Sequence, residues 1–264
     1  MIKFQDHLIE IINEFSFSNF PNPLLIIGEK GSGKKSLIDY IKDQLNIEII
    51  DITSNLSDID NLTNNPFNYL CSINIDNTSI KDQNSLLKTL EEPPQNIKFI
   101  LISTNKNYII PTIYNRCIVW ELKYTKDQLK QFIPKECNDI DLILNIATTP
   151  GEIEDILTSN YIDMRSLAEK MVSSMHIASF PNTLSIASKI GFKGEKEKFD
   201  PNIFIRVYAY IIAQHTQIED SLTFNKLFNY VVELKNKLNI KNINKEYLFE
   251  NYLTKIWLLY NSGD

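Results

Sequence analysis

Hydrophobic and polar positions follow two different periods along the first part of the chain. The apolar spacing over His7–Phe15 predicts an amphipathic helix. The short apolar run Leu24–Ile27 predicts a buried strand, and Lys34–Gln44 returns to the helical period. A strand, a glycine-containing loop and a helix are therefore expected in direct succession.

Four further apolar runs predict strands. They are Ile47–Ile52, Leu70–Ile75, Lys98–Ser103 and Ile118–Leu122. The segment Ser85–Glu91 predicts a helix that ends before Pro93, because proline disfavours helical geometry in the preceding residue and lacks an amide hydrogen. Strands that alternate with helices imply right-handed parallel crossovers. We therefore expect a three-layer α/β domain with a parallel sheet over residues 1–122.

The pattern changes after Tyr124, where only the helical period is found. Proline, glycine or charged stretches interrupt it at Pro150-Gly151, Phe180-Pro181, Lys193–Lys198 and Asp200-Pro201. We predict a small helical lid over residues 123–160 and an all-α C-terminal domain over 161–264. Two apolar faces are candidates for the core of that last domain: Phe204, Val207, Tyr208 and Ile211, and Leu253, Ile256, Trp257 and Tyr260.

Composition and charge limit the classes of partner. The 264 residues carry a formal net charge of −6, so no overall positive field draws the chain to nucleic acid, and any DNA contact must be local or shared. Cys71, Cys117 and Cys137 are odd in number and widely spaced, which favours reduced thiols over a disulfide framework or a zinc site. The chain lacks a signal-peptide pattern and any run of roughly 20 apolar residues. We expect a cytoplasmic protein with no membrane contact.

The loop after the first predicted strand fits seven positions of the phosphate-binding P-loop pattern. Gly28, Gly31 and Gly33 would let backbone amides close round phosphates, and Lys34 would reach the terminal oxygens. The eighth position, which should be Ser or Thr to bind Mg²⁺, is Lys35. A P-loop fold is therefore expected, and two interpretations are left open: a degenerate site that still binds nucleotide, and a relic loop that only packs.

The residues at the end of the third predicted strand indicate whether the site can hydrolyse ATP. Asp76 lies where P-loop ATPases place the carboxylate that holds magnesium. The next residue is Asn77, at a position where ATPases commonly carry Glu, and an amide cannot act as a general base near neutral pH. The sequence therefore predicts that ATP is not hydrolysed at this site.

Three segments resemble the AAA+ clamp-loader subunits of bacterial DNA polymerase III. Asn84–Pro94 reads NSLLKTLEEPP and closely resembles their NALLKTLEEPP segment. Phe99–Asn105 is similar to their sensor 1 strand, with Thr104 at the polar sensor position. Ile113–Cys117 is similar to their Ser-Arg-Cys motif, although Asn115 replaces the serine. The resemblance implies a P-loop AAA+ domain, a helical lid and an all-α collar domain through which subunits assemble.

Within that family, the motor subunit (gamma or tau) and the delta-prime subunit share this architecture, and delta-prime does not hydrolyse ATP. Lys35 and Asn77 favour the delta-prime type. Glu152 does so too, because it falls where motor subunits carry their sensor 2 arginine and would repel phosphate. The family's four-cysteine zinc module is missing from the segment Asp51–Tyr69. We therefore expect no zinc and no required cofactor, while ATP binding stays open.

The resemblance also implies a role in trans for Arg116. Its counterpart in the family reaches across an interface towards ATP on the neighbouring motor subunit, where a guanidinium offsets charge that develops during phosphoryl transfer. The alternative for Arg116 is a surface salt bridge. The implied partners are the gamma/tau and delta subunits and, through the complex, the sliding clamp and primed DNA.

Two other functions are open on the sequence alone. The chain could be an active AAA+ ATPase of the gamma/tau type with a divergent loop, which magnesium-dependent ATP turnover by the purified chain would favour. It could also be an AAA+ adaptor outside replication, which failure to co-purify with a clamp loader would favour.

Overall fold

The computed structural model describes residues 5–52, 59, 62, 66–174, 199–215, 221–238 and 243–261. The first elements are α1 (Asp6–Asn13), β1 (Leu24–Ile27), α2 (Lys34–Leu45), β2 (Glu48–Ile52), β3 (Tyr69–Asn74), α3 (Ile80–Glu91), β4 (Ile97–Ser103), α4 (Pro111–Tyr114) and β5 (Ile118–Glu121). A helix follows β1, β3 and β4 before the next strand, and most residues between β2 and β3 lie outside the described part, so the α/β pattern of the first part of the chain is confirmed.

The described strands form one parallel sheet in the order β2-β3-β4-β1-β5. Strand β1 is therefore paired with β4 on one side and with β5 on the other. Both neighbours come much later in the chain, so the strand order reverses beside β1. Parallel sheets bind ligands outside the carboxyl ends of their strands at such a reversal. The loop that follows β1 lies at this place.

The sheet is covered on both faces, as a three-layer domain requires. On one face, Leu24 and Ile26 of β1 pack with Leu37 and Ile41 of α2 and with residues of α1. On the other face, Leu25 and Ile27 pack with buried residues of α3 and α4. Alternate residues of a strand point to opposite faces, so this one strand contributes to both cores.

Helix α3 begins five residues earlier than the predicted Ser85. Ser79 accepts a hydrogen bond from the amide of Asp82, and the Asp82 carboxylate accepts one from the amide of Ser79. This capping box satisfies amides of the first turn and fixes the start of the helix at Ile80. Leu86 and Leu90 of this helix are buried, and Leu87 is partly buried.

All described elements after β5 are helices. They are α5 (Lys126–Lys130), α6 (Ile140–Ile146), α7 (Pro150–Thr158), α8 (Tyr161–Ser174), α9 (Pro201–His215), α10 (Ser221–Leu238) and α11 (Lys245–Asn261). Two predicted interruptions are helix starts, because Pro150 and Pro201 each open a helix, where a missing amide hydrogen costs nothing. The other two, Phe180-Pro181 and Lys193–Lys198, lie outside the described residues.

The chain divides into two compact units. One comprises Met1–Ile133 with Thr148–Glu152, and the other comprises Pro134–Ala147 with Ile153–Asp264. The predicted boundaries at residues 122 and 160 stay a prediction.

In the second unit the predicted apolar face of α9 is confirmed as core. Phe204, Val207, Tyr208 and Ile211 are buried. In α11, Leu253 and Ile256 are buried, whereas the side chain of Tyr260 lies outside the described part. Among the described helices, none combines the length and the apolar character that crossing a membrane requires.

Candidate nucleotide site and arginine edge

The phosphate loop runs from Gly28 to Lys34 and joins β1 to α2. Gly31 and Gly33 have positive φ angles of 79° and 89°, and Gly33 is the N-cap residue of α2. Residues with a Cβ adopt this backbone region at a cost, so glycine suits both positions. At Gly28 a Cβ would lie 2.4 Å from Oγ of Ser32. The predicted strand-loop-helix context of the P-loop is confirmed.

A short segment at residues 148–152 packs directly on this loop. The hydroxyl of Thr149 donates a hydrogen bond of 2.9 Å to the carbonyl of Lys30, and the amide of Gly151 donates one of 3.0 Å to the carbonyl of Gly31. A Cβ at Gly151 would lie 2.6 Å from Cα of Gly31, so the two backbones meet where only glycines fit. We call residues 148–152 the brace segment.

A residue outside the phosphate loop and the brace segment also donates a hydrogen bond to the loop. The hydroxyl of Tyr124 donates a hydrogen bond of 2.8 Å to the carbonyl of Ser32. Burial raises the pKa of Tyr124, which keeps this hydroxyl protonated as a donor at neutral pH. Three successive carbonyls, those of residues 30, 31 and 32, are thus hydrogen-bonded within the chain.

The lysine of the loop is folded back on the loop itself. The ammonium group of Lys34 donates hydrogen bonds to the carbonyls of Gly28 and Glu29. Burial lowers the pKa of Lys34, and the nearby negative charges of Asp76 and Glu29 oppose that effect. Lys35 and Ser36, the next residues of α2, are both exposed.

Asp76 lies in a 3₁₀ turn, Ile75–Asn77, directly after β3. Its carboxylate accepts hydrogen bonds from the hydroxyl of Ser103 (2.5 Å) and from the amide (2.8 Å) and hydroxyl (2.6 Å) of Thr104. Asp76 and Thr104 are thus in direct contact, a pairing that the sequence analysis did not predict. Ser103 is fully buried and sequence reasoning missed it, although a small polar residue at the end of an apolar strand was the available signal.

Two further carboxylates lie at the phosphate loop: Glu29 belongs to it, and Glu152 belongs to the brace segment. The Thr148 hydroxyl is within hydrogen-bond distance of one oxygen of Glu29 and one of Glu152, and the Thr148 amide donates to the same oxygen of Glu152. A hydroxyl carries one hydrogen and can donate it to only one of the two. These two carboxylates would repel a bound phosphate, whereas Lys30 and Lys34 of the same loop would attract it.

A cleft of about 570 Å³ opens at the carboxyl ends of the strands. Its lining includes Gly28, Glu29, Thr104, Tyr124, Thr148 and Thr149. The volume is in the range of small-molecule sites. Its lining carries charges of both signs, from Lys106, Lys123, Glu29 and Glu121, and Lys123 is ion-paired with Glu121.

Arg116 follows α4 and belongs to a different edge of the first unit. Its Nε donates a hydrogen bond of 2.8 Å to Oε1 of Glu91, Nη2 lies 2.5 Å from the same oxygen, and Nη1 donates one of 2.7 Å to the carbonyl of Thr112. The side chain of Arg116 is 38% exposed and that of Glu91 is 48% exposed. The surface salt bridge considered as an alternative for Arg116 is present. Sequence reasoning did not foresee Glu91 as its partner.

All the predicted site residues except Arg116 lie together at the carboxyl ends of the strands. Gly28, Gly31, Gly33 and Lys34 form the phosphate loop, and Asp76 and Thr104 are bonded to each other at the strand ends next to it. Among the described residues, Arg116 has no contact with this group. Within the same ranges, no group of three His, Cys, Asp or Glu side chains is arranged to hold a metal ion.

The three cysteines are unpaired. Cys71 is buried, and Cys117 and Cys137 are partly buried. Burial raises the pKa of Cys71 and of Cys117 to about 12, so both are protonated at neutral pH and are poor nucleophiles.

The described parallel sheet of five strands, with a phosphate loop after its first strand, a polar residue directly after β4 and helices that follow the sheet, has the AAA+ class of P-loop fold. A gamma subunit-related protein of DNA polymerase III from Thermotoga maritima superposes with a TM-score of 0.51, covering 97% of this chain and 99% of that protein, at 14% identity. This likeness concerns the fold alone.

Sequence matches point to one family within that class. Residues 72–126 match the family model described as DNA polymerase III, delta subunit. The DNA polymerase III subunit gamma of Buchnera aphidicola from Acyrthosiphon pisum is 41% identical over 63 residues, which are 22% of this chain and 18% of that protein. Subunit tau of Salmonella typhimurium is 28% identical over 112 residues, 42% of this chain and 14% of tau.

A delta' subunit is among the relatives as well. That of Haemophilus influenzae is 44% identical over 46 residues, 17% of this chain and 14% of the subunit. The chain thus spans less than a fifth of the length of each of these curated relatives. The resemblance to the DNA polymerase III clamp-loader family of gamma, tau and delta' subunits is confirmed.

Proposed function

We propose that this chain is a non-motor, delta-prime-type subunit of a DNA polymerase III clamp loader. It helps to load the sliding clamp onto primed DNA and supplies Arg116 to the ATP of a neighbouring gamma/tau-type subunit. The observation that carries the proposal is a contrast between two sites. The groups at the phosphate loop are hydrogen-bonded to one another, whereas Arg116 is partly exposed.

The residues at the phosphate loop do not fit a metal-bound triphosphate. Lys35 replaces the hydroxyl that would ligate Mg²⁺. The Asp76 carboxylate already accepts three hydrogen bonds, one on Oδ1 from Ser103 and two on Oδ2 from Thr104, so a metal ion would compete for the remaining lone pair. Glu29 and Glu152 add negative charge beside the place where phosphates would lie. We infer that the chain needs no nucleotide, no zinc and no other cofactor of its own.

Arg116 suits a role in trans for reasons of chemistry. A guanidinium is always charged and binds phosphate oxygens through paired N–H groups, and it can stabilise phosphoryl transfer on another protein without an active site of its own. Through the complex, the proposed partners are the gamma/tau and delta subunits, the sliding clamp and primed DNA. A subunit that works on chromosomal DNA is expected in the bacterial cytoplasm.

A motor function of the gamma/tau type is the second candidate. It is favoured by the names of the relatives, since the Buchnera and Salmonella proteins are gamma and tau subunits. The cleft at the strand ends is also large enough for a small molecule. Lys35, Asn77 and Glu152 weigh against it because each removes or opposes a group that hydrolysis uses.

ATP hydrolysis separates the two candidates. Turnover is measured for the purified chain alone, and then for the chain mixed with gamma/tau and delta subunits, clamp and primed DNA. We expect no magnesium-dependent turnover by the chain alone and a requirement for the chain in clamp loading by the mixture. Unaided hydrolysis would assign the motor function. Clamp loading that does not need the chain would favour an adaptor outside replication.

A further inference from the structure

The guanidinium of Arg116 is held from one side only. Glu91 accepts the Nε hydrogen and its same oxygen lies 2.5 Å from Nη2, and the carbonyl of Thr112 accepts one Nη1 hydrogen. A guanidinium has five N–H groups, so at least one hydrogen on Nη1 and one on Nη2 are left. Among the described residues, no further acceptor contacts them. Two N–H groups at the end of a guanidinium match two oxygens of one phosphate group.

The place of Glu91 in its helix is not explained by helix stability. Glu91 is the last residue of α3, where the helix dipole disfavours a carboxylate, and Glu92 adds a second one at the C-cap. Pro93 and Pro94 already end the helix. The contact of Glu91 with Arg116, 25 residues away in the chain, gives this carboxylate a counter-charge.

The backbone segments that carry Glu91 and Arg116 are linked by hydrogen bonds. The buried side chain of Gln83, in α3, donates a hydrogen bond to the carbonyl of Tyr108 and accepts one from the amide of Ile110, the N-cap residue of α4. After α4, the amide of Arg116 donates to the carbonyl of Ile113, which is fully buried. Helix α3 and the segment that leads to Arg116 therefore form one anchored structure.

We propose that Glu91 is a positioning residue that holds Arg116 in the orientation needed to meet a phosphate group on the neighbouring subunit. Glu91 occupies the side of the guanidinium and leaves its end for the γ-phosphate. The orientation is then set before the subunits meet, so less side-chain freedom is lost when the phosphate is reached. This inference rests on the proposed role of Arg116.

A double-mutant cycle tests it in the complete complex with gamma/tau and delta subunits, clamp and primed DNA. The variants are Glu91→Ala, Arg116→Ala and the two combined. Single-turnover ATP hydrolysis is recorded, so that the ATP site served by this chain has its own kinetic phase. We expect Glu91→Ala to slow that phase roughly 10-fold while its dependence on ATP concentration changes less than about two-fold. In the Arg116→Ala background, Glu91→Ala should cause no further loss.

Conservative variants separate positioning from a structural effect. Glu91→Asp keeps the carboxylate and should recover most of the rate, whereas Glu91→Gln should not. Glu92→Gln is the matched control, because Glu92 is the adjacent exposed carboxylate and has no ion pair among the described residues. It should leave the phase unchanged. Gel filtration and thermal unfolding check that every variant folds and assembles.

Each other result has a distinct meaning. No loss from Glu91→Ala, or the same loss with and without Arg116, overturns the inference and leaves the role of Arg116 in place. If Arg116→Ala itself leaves the phase unchanged, the proposed function fails and this inference fails with it.

Discussion

The phosphate loop and the Arg116 edge both carry cations that P-loop proteins use on phosphates, but the chain treats the two cations in opposite ways. Lys34 is partly buried and donates to carbonyls of its own loop. Arg116 is 38% exposed and keeps N–H groups directed away from its partners within the chain. The hydrogen bonds of Lys34 are made within its own loop, whereas the remaining N–H groups of Arg116 meet no acceptor among the residues that the structure describes. A subunit that lends a cation to its neighbour, and does not use its own, needs this combination.

The largest effect is expected from Arg116. Arg116→Ala should lower ATP hydrolysis roughly 10³-fold at the one site that this chain serves, because the developing charge on the transferred phosphoryl group loses its counter-charge. Single-turnover hydrolysis by the assembled complex measures it. Arg116→Lys should recover little, since an ammonium group cannot provide two parallel N–H groups. Full activity in either variant would contradict the proposal that Arg116 acts on the ATP of a neighbouring subunit.

Substitutions of the loop glycines test whether the brace segment packs on the phosphate loop. Gly31→Ala combines a positive φ with a Cβ that would lie 2.9 Å from Cα of Gly151 and should lower the free energy of unfolding by about 3 kcal/mol. Gly33→Ala has the same backbone strain, but its Cβ would meet Tyr124 Oη at an ordinary 3.6 Å, so about 1 to 2 kcal/mol is expected.

Urea unfolding followed by tryptophan fluorescence measures this difference. A Trp257→Phe background leaves Trp120, which packs in the core of the first unit, as the reporter. Equal losses from Gly31→Ala and Gly33→Ala would mean that the brace segment does not close on the loop in solution.

The smallest effect concerns the start of α3, the helix that ends at Glu91. Hydrogen bonds from Ser79 lower the pKa of Asp82 below its usual value. The folded state therefore binds this proton less readily than the unfolded chain. The resulting stabilisation is present above the pKa of the unfolded chain and is lost as the pH falls through the lower pKa of the folded state.

Asp82→Asn should remove this part of the acid dependence and leave turnover at the neighbour's site unchanged. Urea midpoints recorded from neutral to acidic pH in the Trp257→Phe background measure it. Ser79→Ala removes the partner and should have the same effect on the profile. An unchanged profile in both variants would show that the capping box does not set the pKa of Asp82.

Local signals in the sequence were sufficient for much of the fold and for the phosphate loop. Leu24–Ile27 has the bounds that its apolar run predicts, and Gly31 and Gly33 adopt the backbone that a P-loop requires. The early start of α3 was readable in principle, because Ser79 and Asp82 have the spacing of a capping box.

Contacts between distant segments could not be read in this way. Nothing in the local pattern pairs Glu91 with Arg116, or Thr149 with the carbonyl of Lys30, because each pair forms only when the sheet order and the loops are known. The segment Glu91–Pro94, in which both glutamates are exposed, gave a family resemblance without a physical role for Glu91. The structure supplies that role as a contact.

The brace segment also affects the order of events when the chain is made. The bond between Thr149 and Lys30 joins residues 119 positions apart, whereas the last strand of the sheet ends at Glu121. During translation the five described strands leave the ribosome before the brace segment does, and domains generally fold from the N-terminal end as the chain emerges. The nascent α/β domain therefore has its sheet available while its phosphate loop is still open, and the loop closes only after about thirty more residues have been added.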